Sequence, residues 1–415
     1  MVNEGQFQRI AEYPGIDPLG DLLERPPRDR IHVRDEHPGD RSPFIAVLGS
    51  SGFRASWQAG LAHVLEEVGD PVRWDLASGG TIAGLAAAAG LGRHWRRIAN
   101  AGAPTHKILK VPPGLRWFER RNLDLAGVFE MTEVEEWLAD WLAWAGVRTF
   151  RDLRYEPGDP KPVGVSHRAG ICVSVWRTER PFPMRCTASQ LRDPEFVHRA
   201  FRWAFYSRQF PWRRFQSMWV PDTVGEHLPW LKDEIDDHSP AFWARVSMSQ
   251  WPACLPTVFQ DPNTLQLVFL ADGGHIDNQP SLFNDGRLPP LPLLNPRLAQ
   301  NRRQGRTGQW NCDSRRMPFG RVVRFEVTPE TNFGSLQVDG LTSSDRDAMW
   351  RRGVIQGRFR LPLEFAELTR CHARARTRHG RPGHRVVIEV PGLHGFQAIA
   401  AARRQGTRRV FDHRS

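Results

Sequence analysis

Residues 44–89 read FIAVLGSSGFRASWQAGLAHVLEEVGDPVRWDLASGGTIAGLAAAA, and they hold two strand–loop–helix units in a row. Phe44-Ile45-Ala46-Val47-Leu48 is a short apolar run of the kind that forms a buried strand. It breaks at Gly49-Ser50-Ser51-Gly52. A helix is expected from about Arg54, with Trp57, Leu61, Val64, Leu65 and Val68 on one face and Gly69 as its stop. A second strand, Val72 to Ala77, runs into a sharp Ser78-Gly79-Gly80 and then a helix of small residues, Thr81 to Ala89. This alternation predicts an α/β fold, with a central, mostly parallel sheet carrying helices on both faces.

Working outward, the same theme continues. Strands are expected at Gly170–Trp176, Leu265–Leu270, Val322–Val327 and Arg385–Val390. Thr132 with Glu135 has the spacing of a capping box. Trp137, Trp141 and Trp144 follow at helical spacing and read as core packing. The first 40 residues, broken by five prolines, read as an extended arm. Residues 41–415 are expected to form one elaborated domain, with a surface excursion near 286–320 and a basic C-terminal segment, 371–415.

Composition narrows the function classes. The 40% of hydrophobic residues in 415 is enough for a core, which sets aside wholesale disorder. No apolar stretch reaches the 18 residues of a membrane span, and the polar start MVNEGQFQRIAEYPGID lacks a secretory signal's apolar segment. The five cysteines are scattered and never spaced as CxxC, so neither a disulfide framework nor a metal site is expected. These features lead to the expectation of a cytoplasmic protein. The net charge of +11 is unevenly spread: residues 371–415 hold ten arginines against two acids. A polyanion is the natural partner of such a segment, though a solvated arginine-rich surface would read the same.

Three motifs carry chemistry. Ser78, between a strand end and a helix of small residues, sits where a nucleophile elbow places its serine, and Gly79 and Gly80 allow close backbone approach. The helix N-terminus would aim its positive end at a developing oxyanion. Ser51, Gly52, Phe53 and Arg54 form a second loop between strand and helix, able to direct N–H groups at an anion. It lacks the G-K-[ST] ending of a P-loop and the G-x-G-x-x-G of a dinucleotide site, so no cofactor is expected. Asp272-Gly273-Gly274, directly after an apolar strand, would hold a carboxylate in a backbone-lined pocket, although an Asp-Gly turn serves structure alone just as often.

Together the three motifs resemble the patatin-like phospholipase family. Ser50-Ser51-Gly52-Phe53-Arg54-Ala55 is similar to its G-G-G-x-R-G oxyanion loop. Leu76-Ala77-Ser78-Gly79-Gly80-Thr81-Ile82 is similar to its G-T-S-G-G-T-I elbow. Asp272-Gly273-Gly274 with Asp277-Asn278-Gln279-Pro280 is similar to its D-G-G/A and D/N-N-x-P motifs. Gly127-Val128-Phe129, Val134 to Leu138 and Gly146 to Leu153 look like its mid-domain helix and loop. Ser249 with Pro252 and Pro256 is similar to its S-x-x-x-P segment, with a shifted spacing. The resemblance covers about residues 43–285. The chain departs from it where Ser50, Ser51, Ala55 and Leu76 stand in place of glycine.

The resemblance implies a three-layer patatin-like sandwich and a lipid acyl hydrolase. It makes Ser78 the nucleophile and Asp272 the base, with N–H groups of Ser51, Gly52, Phe53 and Gly79 as oxyanion donors and Arg54, Gly80, Gly273 and Gly274 in support. The substrate would be a phospholipid or related acyl lipid, met at an anionic membrane surface to which the protein binds peripherally. Two alternatives stay open: a Ser-Asp-His triad using His275, His384 or His394, and a lipid-binding protein without catalysis. Residues 201–219 hold eight aromatics, four arginines and no acid, which suits a lipid interface or a half-buried cover over the site. Nucleic acid is disfavoured, because no RRM, KH, OB or HTH pattern accompanies them.

Overall fold

A computed structural model of the chain describes residues 43–49, 55–68, 70–95, 98, 131–159, 166–207, 216–250, 254–276, 320–324, 342–376 and 384–389. The two opening units are β1 (Pro43–Leu48), α1 (Ala55–Val68), β2 (Asp70–Leu76) and α2 (Gly80–Ala88). Ile45 to Leu48 are almost wholly buried, as the continuous apolar run requires of an inner parallel strand. The helix α2 is buried nearly all round, which only a sequence as small as GTIAGLAAA tolerates at that packing distance. After it come α3 (Thr132–Trp144), β3 (Ala169–Pro181), α4 (Ala188–Arg192), α5 (Pro194–Tyr206), β4 (Gln216–Val220), α6 (Val224–His227) and α7 (Pro240–Met248). The hairpin β5 (Thr257–Gln260) and β6 (Gln266–Asp272) follows, then β7 (Gly320–Arg324), α8 (Ser343–Arg376) and β8 (His384–Glu389).

The strands form a sheet in the order β5-β6-β3-β2-β1-β8-β7, with β4 also paired to β3. The fold is α/β as expected, but the sheet is mixed rather than mostly parallel. β7, β8, β1, β2 and β3 pair in parallel, whereas β4, β6 and β5 join antiparallel. For β5 and β6 the reason is the length of their connection. β5 and β6 are joined by a short turn in which the Asp261 carboxylate accepts the Asn263 and Thr264 N–H groups, and a turn that tight yields only an antiparallel pair. β3 is the pivot: residues 169–171 pair with β2 and residues 173–177 with β6.

Helices cover both faces of the antiparallel half. Ile171, Val173 and Val175 of β3 join the main core, with Trp137, Trp141 and Trp144 of α3 and Trp243 of α7. On the opposite face, Trp176 stacks on Phe269 at 4.7 Å, and both pack against Phe201 of α5. Of the aromatics in the 201–219 stretch, Phe201 and Trp219 are buried, Trp203 and Phe205 are half-buried and Tyr206 is exposed, while residues 208–215 lie outside the described residues.

Two expectations need correction. α3 is capped at Met131 rather than Thr132, so the capping box there is not formed; Glu135 instead pairs with Arg245 of α7 at 2.6 Å. The helix α8 has no counterpart among the expected elements. Its glycines are the crossing point with α1: a Cβ on Gly353 would strike the Trp57 carbonyl, and one on Gly60 would come within 2.9 Å of the Val354 nitrogen. Gly357 receives Val64 in the same way, at 3.0 Å. The N-terminal arm, most of the 286–320 excursion and residues 390–415 lie outside the described residues. Among the described residues no helix is long and apolar enough to cross a membrane.

Candidate active site

β2 ends at Leu76, and the Ala77 N–H donates to the Leu48 carbonyl at the end of β1, 3.0 Å away. The chain then turns sharply. Ser78 has φ +51, a left-handed conformation that costs a non-glycine residue on the order of 1–2 kcal/mol. Three bonds hold it there. The Ser78 carbonyl accepts the Thr81 N–H at 2.9 Å and the Thr81 hydroxyl at 2.6 Å, and the Ser78 N–H donates to Ser247 Oγ at 2.9 Å. Gly80 must lack a side chain, since a Cβ would run into the Leu48 and Gly49 carbonyl oxygens.

Leu76, the departure from glycine in the elbow, does not relax this turn. Its side chain is fully buried and occupies the space that a Cβ on Gly84 of α2 would fill. The glycine missing from the strand has in effect a counterpart one helical turn into α2.

Asp272 closes β6 opposite Val173 of β3. Its N–H donates to the Ser249 carbonyl at 3.0 Å, and its carbonyl accepts the Ser174 hydroxyl at 2.7 Å, so its backbone is fixed from two sides. One carboxylate oxygen accepts the Gly274 N–H at 2.7 Å; the other accepts the Ser78 hydroxyl at 2.7 Å. Ser78 is 8% exposed and Asp272 4%. Burial pushes the Asp272 carboxyl up to about 7, against the downward pull of the bonds from Ser78 and Gly274. Gly273 is confined as tightly as Gly80, because a Cβ there would meet the Cys172 carbonyl.

The arrangement joins a serine hydroxyl to a carboxylate of raised proton affinity at the N-terminus of a buried helix. That is the equipment for nucleophilic attack with carboxylate base catalysis. Among the described residues the Gly79 N–H, at the cap of α2, has no acceptor. Ser51, Gly52, Phe53 and Arg54 lie outside the described residues, as do Ser50 and Asp277 to Pro280. What is described is the loop's flanks: the Gly49 carbonyl accepts the buried Gln58 side-chain amide at 3.0 Å, and α1 starts at Ala55.

The two donors to the Asp272 carboxylate among the described residues are Ser78 and Gly274, neither of them a histidine. His275 is half-buried close to Asp272 in sequence, and the side chains of His384 and His394 lie outside the described residues. Ser249, singled out for its spacing to Pro252, brings only its carbonyl to the site; its hydroxyl bonds back to the Arg245 carbonyl at 2.9 Å. Sequence reading missed Ser247 and Ser174. No motif marks either, since each is placed by tertiary packing.

The chain matches no protein-family model, and no curated protein matches it. Among solved structures, the crystal structure of VipD from Legionella pneumophila is similar over 59% of this chain at 10% identity, with a TM-score of 0.23. The matched part spans 48% of VipD, about half its length, and at that score it stands as a weak likeness only.

Proposed function

We propose that the protein is a serine-dependent lipid acyl hydrolase of patatin-like type, with Ser78 as nucleophile and Asp272 as base. One observation carries the reading: the 2.7 Å bond from the Ser78 hydroxyl, on a left-handed elbow, to a buried carboxylate 194 positions away. Strain of this kind persists where surrounding contacts over-determine it, and such positions cluster at reacting groups.

Ser78 Oγ attacks the ester carbonyl carbon as its proton passes to Asp272, giving a tetrahedral oxyanion. The Gly79 N–H stabilises that oxyanion, joined in this proposal by N–H groups of the Gly52 loop; each donor contributes about 3 kcal/mol. Collapse breaks the carbon–oxygen bond, and Asp272 returns the proton to the leaving alcohol. Water then attacks the acyl-enzyme, giving its proton to Asp272, and the carboxylic acid leaves as Ser78 regains a proton. A carboxyl near 7 suits this exchange, being a stronger base than an ordinary aspartate and still ionised around neutrality.

The patatin-like three-layer arrangement, the phospholipid substrate and peripheral attachment to an anionic membrane from the cytoplasm belong to the same proposal. They rest on the resemblance and on the arginines of residues 371–415. The test is a serine-reactive fluorophosphonate probe together with a soluble acyl ester. The label is expected on Ser78, with ester turnover lost in Ser78→Ala. Folded protein that takes no label, or takes it elsewhere, refutes the reading. Vesicle co-sedimentation that ignores both anionic lipid content and salt would refute the membrane part alone.

A further inference from the structure

The elbow is braced by a residue that no motif identifies. Ser247, fully buried near the C-terminal end of α7, accepts the Ser78 N–H at 2.9 Å and donates its own proton to the Cys172 carbonyl of β3 at 2.7 Å. One hydroxyl thus bridges the elbow and the central strand, with its proton direction fixed by an amide on one side and a carbonyl on the other. Its oxygen would stand 3.3 Å from a Cβ on Gly273, so it also borders the turn after the base. Two residues on, the Ser249 carbonyl takes the Asp272 N–H at 3.0 Å. The end of α7 therefore holds both reacting residues by their backbones, one through a side chain and one through a carbonyl.

Resting on the hydrolase reading above, we propose that Ser247 is a positioning residue that sets the approach of Ser78 Oγ to Asp272. By engaging the Ser78 N–H, it also leaves the oxyanion to the Gly79 N–H rather than to the nucleophile's own amide. Removing the hydroxyl strands the buried Ser78 N–H, and Ser78 loses the contact that opposes its relaxation out of the left-handed region.

The experiment measures turnover of a soluble acyl ester per site titrated with the fluorophosphonate, so that loss of folded protein does not count as loss of rate. Ser247→Ala should lower kcat per titrated site by about tenfold to a hundredfold, the usual cost of a misplaced reacting group, with KM little changed. Its acid limb should also move to higher pH, because the bond from Ser78 is one of the two that hold the Asp272 carboxyl down. Ser247→Thr, which keeps the hydroxyl, should recover most of the rate and return the limb. Where Ser247→Ala does not fold, Ser247→Cys takes its place as the weakened donor and acceptor against Ser247→Thr. Wild-type turnover per site and an unmoved acid limb in the Ala or Cys variant would overturn the proposal alone. A wild type that takes no label would overturn the hydrolase reading, and this inference with it.

Discussion

The two halves of the sheet place their reacting residues by different means. In the parallel half, β2 runs straight into α2, and Ser78 is fixed by the turn between them. In the antiparallel half, Asp272 is fixed by the register of β6 on β3, with Val173 opposite it. The turn at the proposed nucleophile is thus shaped by a local run of sequence and braced from afar by Ser247, and the proposed base is placed by a pairing between segments about a hundred residues apart. A slip of one residue in β6 would turn Asp272 to the opposite face, while no slip of β2 alters the shape of the turn after it. Register is the more fragile determinant, and the antiparallel half protects it with dedicated bonds: Ser174 to the Asp272 carbonyl and Asp272 to the Ser249 carbonyl.

The largest effect should come from removing chemistry while keeping both placements. Asp272→Asn retains shape and register, and turnover should fall on the order of 10⁴-fold or more, since loss of a triad's aspartate costs about 10⁴ and loss of the base itself about 10⁶. Steady-state rates on a soluble ester check this. Losses under tenfold would mean that the antiparallel half does not supply the base.

Next come the placements themselves. Leu76→Gly supplies the elbow's missing glycine, yet it should destabilise the protein by about 3–5 kcal/mol in denaturant unfolding, because it empties the space against Gly84. Improved activity without loss of stability would show that Leu76 is not part of the elbow's packing. In the other half, Gly273→Ala should cost about 2–3 kcal/mol by forcing the Asp272 turn off the Cys172 carbonyl.

The pH dependence sharpens the contrast further. Asp272 must be ionised to act, so kcat/KM should fall with unit slope below about pH 7. Stability should run the other way. A carboxyl raised from 3.8 to about 7 on folding binds a proton more tightly in the native state. Its contribution is therefore greatest below about pH 4 and is lost as pH rises through 7. Asp272→Asn lacks that loss, and above pH 7 it should melt higher than the wild type while being nearly inactive. Equal melting temperatures across that range would remove the argument for a base held at a cost to stability. The smallest effect is at the surface: Arg358→Ala breaks an exposed pair with Glu67 and should change stability by under about 1 kcal/mol.

The same contrast explains what could be read without a structure. The two opening units, the serine turn and the strand before Asp272 were legible because apolar runs and glycine breaks are local signals. The mixed sheet was not, because strand direction depends on which segments meet. The short strands β4 and β5 carry too few residues for a periodic signal. α8 was obscured by its own glycines, which serve the crossing with α1 rather than ending the helix. Ser247 was invisible for a further reason: a lone serine near the end of a helix gains meaning only through what lies across from it, here Ser78 and Cys172.

The position of β1 between β2 and β8 bears on how the protein is made. Ser78 and Asp272 have both been synthesised well before β8, which begins at His384. At roughly 5–20 residues per second, the ribosome takes on the order of ten seconds to cover that gap. For that interval the nascent chain holds both Ser78 and Asp272 while the edge of β1 that β8 will pair has not yet met its partner. α1 likewise waits for α8 to cover Gly60. An unpaired apolar edge is what chaperones bind and what drives chains to associate. A chain cut short inside the gap would carry Ser78 and Asp272 beside an open sheet edge, the kind of surface that drives association and engages chaperones.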